Sequence, residues 1–249
     1  RLLTAASIMG VMLKGEYDNI TLRFNGDGPA GSIIAVADSS GNGRISVQNP
    51  IVELPLNDKG KLDVSGALGK TGYLYVIKDI GLKEPFIGTT EIVSGEVAED
   101  ITNYYAVSEQ TPSVCSLGVL INPDLSVNCA GGFLIQLLPG CPDEIIDVIE
   151  KNIAGIPPVT TMLTDGLTPD DMAKKALSGL KIEKLDESEF TYKCACSRQK
   201  AEAAMLSAGR AELEDMVKEN KPFTVECHFC NNNYEFTTEQ IKTLLKKLK

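Results

Sequence analysis

The sequence holds a single histidine and no tryptophan in 249 residues, and aromatic side chains make up only 6% of it. With His228 alone, acid–base chemistry built on imidazole has almost nothing to draw on. Positive charge is also scarce: 24 Lys and Arg against 34 Asp and Glu leave a formal net charge of −10. That balance opposes non-specific attraction to nucleic acid or anionic membrane, which needs a basic face, so neither is an expected partner. No run of about eighteen apolar residues is present and no signal-peptide pattern is visible. Internal repeats and low-complexity segments are absent as well. The chain opens at Arg1, not Met, on RLLTAASIMGVMLKG, which already reads as helix, so the sequence reads as either truncated or renumbered at its start.

Cysteine, by contrast, is well supplied. Seven are present, an odd number containing two close pairs, which fits a reducing cytoplasm better than a secreted disulfide framework. Cys194-Ala195-Cys196 is followed, after residues 197–226, by Cys227-His228-Phe229-Cys230. A structural Zn²⁺ takes four ligands in a tetrahedron and favours thiolates at about 2.3 Å. Two pairs from separated segments supply that set, so Cys194, Cys196, Cys227 and Cys230 are the expected metal ligands. On an extended segment the side chains of Cys194 and Cys196 leave the same face, and Cys227 to Cys230 fits a tight knuckle. The alternative is four unrelated buried thiols, against which the doubly paired spacing argues.

The chain reads as α+β: a mixed β-sheet core domain with helices over 1–139, a helical linker over 140–187, and a small C-terminal zinc-binding module over 188–249. After the first helix, strands are expected at 19–25, 31–38, 72–80, 88–94, 114–121 and 127–138, separated by Gly, Asn, Asp and Pro turns. Residues 100–110 fit helix or strand equally. Without regular alternation of strand and helix, the class is α+β. From Pro139-Gly140-Cys141-Pro142 onward the texture changes to short helices between breakers, over 143–154 and from Thr168 to Leu177, with Thr168 as cap and Pro169 at the first position. Pieces this short depend on packing. In the last module Ser197 opens a helix that stops at Gly209, and a second helix follows. Phe223 to Glu226 is a short strand into the knuckle. Thr237-Thr238-Glu239-Gln240 is a capping box before Ile241, Leu244, Leu245 and Leu248, with Lys242, Lys246, Lys247 and Lys249 on the rest of that helix.

Other motifs carry less. Gly26-Asp27-Gly28-Pro29-Ala30-Gly31 matches G-x-G-x-x-G but leads into the β-branched run Ser32-Ile33-Ile34-Ala35-Val36, so a hairpin turn is expected rather than a dinucleotide site. Four sulfurs already fill a tetrahedron, which leaves His228 outside the ligand set. Cys115 and Cys129 fall in apolar runs and read as small buried hydrophobes. Cys141 precedes a helix, whose dipole can activate a thiol. A thioredoxin-like reading of Cys227 to Cys230 is disfavoured, since that site opens a helix after a strand, and here Asn-rich turn residues follow.

Structural zinc contributes ~10 to 16 kcal/mol in small zinc peptides, and a whole domain is stable by only ~5 to 15 kcal/mol. A module of this size is therefore expected to unfold when its metal leaves, and thiolates oxidised to disulfides cannot hold zinc.

The cysteine arrangement, with Asn231 and Tyr234-Glu235-Phe236 after it, resembles that of the redox-regulated bacterial heat-shock chaperones of thirty-three kilodaltons, a heat-shock holdase family. The resemblance extends through Met12-Leu13-Lys14-Gly15, Gly60-Lys61-Leu62-Asp63-Val64, residues 76–82 and 91–96, Ser108-Glu109-Gln110 and Ala130-Gly131-Gly132-Phe133, and so covers essentially the whole chain. It implies an ATP-independent chaperone, not an enzyme and without catalytic residues, that binds unfolding client proteins under oxidative stress. It also implies one zinc on Cys194, Cys196, Cys227 and Cys230, oxidation to disulfides Cys194–Cys196 and Cys227–Cys230 with zinc release, unfolding of module and linker, and a homodimer when active. The further cysteines Cys115, Cys129 and Cys141 depart from the family pattern and leave room for off-pathway disulfides. Two rival expectations are a constitutive binding protein with a purely structural zinc and a thiol-disulfide oxidoreductase.

Overall fold

Alternation along residues 19–26 sets the central strand. Ile20, Leu22 and Phe24 point one way and are at most 1% exposed, while the residues between them face outward, as period two requires. The structure, a computed structural model, describes residues 1–248. Residue 249, read above as the last lysine of the final helix, lies outside them. The chain divides into two compact units, Arg1–Tyr192 and Lys193–Lys249.

In the first unit, α1 (Leu2–Val11) is followed by β1 (Asn19–Gly26), β2 (Ser32–Asp38) and β3 (Asn42–Val47), then α2 (Val64–Leu68), β4 (Gly72–Asp79), β5 (Phe86–Glu91) and α3 (Val97–Val107). These strands and a two-residue β8 (Thr191–Tyr192) make one mixed sheet in the order β5-β4-β1-β2-β3-β8. All pairings in it are antiparallel except β3 with β8. Helices α1 and α3 bury Leu2, Ala5, Ala6, Met9, Ile101, Tyr104 and Tyr105 in the cluster that takes in β1, β2 and β4. The glycine-rich segment between β1 and β2 is a turn, as expected, and Gly31 there has φ +66°, a conformation that side-chain-bearing residues rarely adopt.

Residues 100–110, which fitted either state, are largely helix: Asp100, Ile101, Tyr104 and Tyr105 recur at helical spacing and are all buried. Strand β3 was not anticipated. Gly43, Arg44 and Ser46 blur its alternation, and pairing with β2 stabilises it instead.

A second, two-stranded antiparallel sheet joins β6 (Ser113–Ile121) to β7 (Val127–Gln136). The helices α4 (Asp143–Gly155), α5 (Val159–Thr164) and α6 (Pro169–Ala176) follow. Thr168 closes a capping box with Asp171 at the start of α6, as its sequence implies. Helix α5 was missed in the sequence because it is too short to show a period. Its Val159 and Met162, with Met172 of α6, form a small buried cluster against Phe133 of β7. Gly118 of β6 makes room for α5: a Cβ there would sit 2.9 Å from Cβ of Val159 and 3.0 Å from N of Thr160. Asn152 of α4 donates to the carbonyls of Ala176 and Ser178 and ties the end of α6 to α4. Among the described residues no helix is long and apolar enough to cross a membrane.

The second unit comprises α7 (Arg198–Ala208), α8 (Arg210–Glu219), the hairpin β9 (Phe223–Glu226) with β10 (Asn233–Phe236), and α9 (Thr238–Lys247). Its core is Ala201, Met205, Leu213, Phe236, Ile241 and Leu244. Ser197 caps α7 and the Thr237–Gln240 box caps α9, as the sequence predicts.

Candidate metal centre

Two short backbone segments of the second unit carry the cysteines. Cys194 and Cys196 lie on the irregular stretch before α7, with Ser197 already committed to capping that helix. Lys200 in its first turn donates through Nζ to the carbonyl of Ala195 at 2.7 Å, fixing the peptide between the two thiols. Cys227 to Cys230 turn the β9–β10 hairpin. The N–H of Cys227 donates to the Asn232 carbonyl at 2.9 Å, and the N–H groups of Cys230 and Asn231 both donate to the Cys227 carbonyl. Asn231 closes the knuckle at φ +57°, a left-handed conformation that Asn tolerates.

These segments bring together the four sulfurs. All four Sγ atoms lie within 4.8 Å of one another. Cys194 Sγ is 3.6 Å from Cys227 Sγ, and Cys196 Sγ is 3.3 Å from Cys230 Sγ. A disulfide needs about 2.05 Å, so the thiols are unbonded. A tetrahedron with bonds of about 2.3 Å has edges near ~3.8 Å, so the cluster has the size and the donor set for one thiophilic metal ion. His228 is exposed and outside the cluster.

Cys196 is distinguished by its neighbours. The Tyr234 hydroxyl donates to its Sγ at 3.1 Å, and Asn232 Nδ2 lies 3.8 Å away. The Tyr234 bond, with Cys230 beside it, draws the Cys196 thiol down to about 6, and the same bond pushes the Tyr234 phenol up to about 12. Backbone N–H groups also reach sulfurs of their own segment, that of Cys196 toward Cys194 and that of Asn232 toward Cys230. The role of Tyr234 was not read from the sequence, although its motif was noted. Arg198 was missed altogether. Its guanidinium sits 4.3 Å over the Phe236 ring and donates to the Glu235 carbonyl and the Gln240 side chain, clamping α7 to the hairpin and α9. One arginine in a first helical turn has no sequence signature that marks this.

The remaining cysteines lie apart. Cys115 of β6 packs against the main core, and burial pushes its thiol up to about 12. Cys129 lies half-buried on β7, and Cys141 stands just before α4, its Sγ 3.8 Å from the Pro142 carbonyl.

Fold and site together define an α+β protein with a C-terminal four-cysteine centre. The family model described as Hsp33 protein matches residues 1–237. The 33 kDa chaperonin of Clostridium botulinum (strain Alaska E43 / Type E3) is 46% identical over 246 residues, covering 99% of this chain and 83% of that protein. That of Acetivibrio thermocellus is 47% identical over 246 residues with the same coverage. The crystal structure of the 33 kDa chaperonin from Thermotoga maritima superposes with a TM-score of 0.90 at 42% identity, covering 99% of this chain and 83% of that one. The chain belongs to the Hsp33 family.

Proposed function

We propose that this chain is a redox-regulated, ATP-independent holdase of the cytoplasm that captures unfolding proteins after its thiolates are oxidised. Membership in a family of chaperonins supports the chaperone function. The observation that carries the redox reading is the convergence of Cys194, Cys196, Cys227 and Cys230 within 4.8 Å in a unit whose apolar core is small.

In this reading the four cysteines hold one Zn²⁺, which supplies the charge that keeps four thiolates together and closes the module. Oxidation then proceeds within each close pair, Cys194 with Cys196 and Cys227 with Cys230. Two thiolates lose two electrons to form one disulfide, while a peroxide takes those electrons and two protons and leaves as two waters. Disulfide sulfurs are poor metal donors, so the module loses the interaction that closes it. Residues 188–249 are then the switch and 140–187 the linker that loosens with it. The linker's Val159, Met162 and Met172, with the β7 surface they cover, are apolar when parted and suit unfolded clients. The active form is proposed to be a homodimer, with neither nucleic acid nor membrane as partner and no catalytic residue.

The test follows metal release with a chromogenic chelator during peroxide treatment, alongside light scattering of a heat-denatured client. Release coincident with gained protection supports the proposal. Protection independent of oxidation points to a purely structural zinc, and turnover of a small disulfide substrate points to an oxidoreductase. Oxidised protein that keeps its metal and leaves the client to aggregate defeats it.

A further inference from the structure

The four sulfurs are not equivalent. Among the described hydrogen bonds, Cys196 is the one thiol of the four that accepts from a side-chain hydroxyl, that of Tyr234 at 3.1 Å, with Asn232 Nδ2 at 3.8 Å as a second side-chain donor. The Tyr234 ring is held on β10, opposite Val225 of β9, and packs on the cluster of Phe236, Ile241 and Leu244. The hydroxyl is therefore aimed by the module's own core.

A hydrogen bond to a thiolate withdraws electron density from sulfur, and a less basic sulfur is a weaker nucleophile. Once a metal holds all four sulfurs deprotonated, the fraction of thiolate no longer distinguishes them, and nucleophilicity alone decides which attacks an oxidant. We propose that Tyr234 is a positioning residue that restrains oxidation of Cys196 and so sets the oxidant threshold of the four-cysteine centre. This deepens the redox reading above and rests on it. The restrained step is attack of Cys196 sulfur on a peroxide oxygen: the O–O bond breaks, sulfur gains the hydroxyl as a sulfenic acid, and hydroxide leaves to be protonated. Cys194 sulfur then displaces that hydroxyl as a second hydroxide, completing the disulfide with two electrons transferred in all. Because the ring sits on the core, loosening of that core withdraws the hydroxyl and lifts the restraint, which couples unfolding to oxidation at a single hydrogen bond.

The experiment compares Tyr234→Phe, which deletes only the hydroxyl, with the parent chain. Both are loaded with Co²⁺ for spectroscopy and with Zn²⁺ for kinetics. Expected are equal metal content and equal melting, a thiolate-to-cobalt charge-transfer band moved to longer wavelength, and iodoacetamide labelling of Cys196 that is faster by about threefold or more, with Cys227 unchanged as the internal control. Peroxide-driven metal release should quicken to match. An unmoved band with unchanged Cys196 labelling overturns the inference. So does uniform acceleration at all four cysteines with a lowered melting point, which marks Tyr234 as merely structural. A parent chain that takes up no metal overturns the metal reading and this inference together. A parent that releases metal and protects clients while the variant behaves identically overturns this inference alone.

Discussion

Sγ of Cys196 and Sγ of Cys230 lie 3.3 Å apart although 34 positions separate them in the chain. Nothing in the local backbone of either residue brings about that approach. It depends on the β9–β10 hairpin, on α7, and on the core that packs them together. The same dependence would run in reverse on the proposed reading, since a metal ion held by those sulfurs would stabilise that core.

Replacing one ligand should therefore unfold the second unit and spare the first. Cys230→Ala is expected to abolish tight, stoichiometric zinc binding and, since structural zinc is worth ~10 to 16 kcal/mol in small zinc peptides, to remove cooperative melting of residues 193–249. Amide exchange read by mass spectrometry checks it. Protection should collapse in that unit while β1, β2 and β4 stay protected.

Phe236 is 1% exposed and lies beneath the Arg198 guanidinium. Phe236→Ala is expected to cost about 3 to 5 kcal/mol within the module. Peroxide should then release zinc at a lower temperature than in the parent chain, and a chelator assay across a temperature series reads this directly. An unshifted release temperature would show that the core does not help hold the metal site.

Gly118 is buried where α5 crosses β6. Gly118→Val inserts side-chain atoms where Val159 and Thr160 already stand, an overpacking that typically costs about 1 to 3 kcal/mol. The expected outcome is displacement of α5, seen as increased binding of a hydrophobic dye by the reduced, metal-loaded protein. Equal dye binding would show that α5 does not cover that face.

Asp100 is 1% exposed and accepts from the N–H groups of Val93 and Ser94. Burial raises its carboxyl above the ordinary value of 3.8, and those N–H bonds only partly oppose this. The folded state therefore binds the proton more readily than the unfolded chain. This residue's contribution is greatest in acid and falls as pH rises through the raised value. Asp100→Asn keeps an acceptor for both N–H groups without the buried charge, so its stability relative to the parent should improve in urea melts as pH rises from the ordinary carboxyl value of 3.8 through the raised one. Asp100→Ala leaves the two donors unpaired and should lose about 1 to 3 kcal/mol.

The features legible without coordinates were those whose cause is local. The caps at Thr168, Ser197 and Thr237 hold, because each is a bond between a side chain and an amide three residues on. The alternation in β1 was readable because one face of that strand is buried along its whole length. The four cysteines could be singled out because two close pairs of thiols have few uses other than a shared metal ion.

Tertiary structure decided what depends on partners distant in sequence. β3 exists as a strand because β2 supplies its ladder, and α5 as a helix because Gly118 and Phe133 offer a surface to bury against. Residues 100–110 could not be assigned until their buried face was known. The roles of Arg198 and Tyr234 were invisible for the same reason, since a guanidinium over Phe236 and a hydroxyl against Cys196 are contacts made only in the folded module. The sequence alone determined which four thiols belong together, through spacing and sulfur chemistry. Only the packing of the hairpin against α7 and α9 decided that those thiols meet at one point, and which of them carries a hydrogen bond from Tyr234.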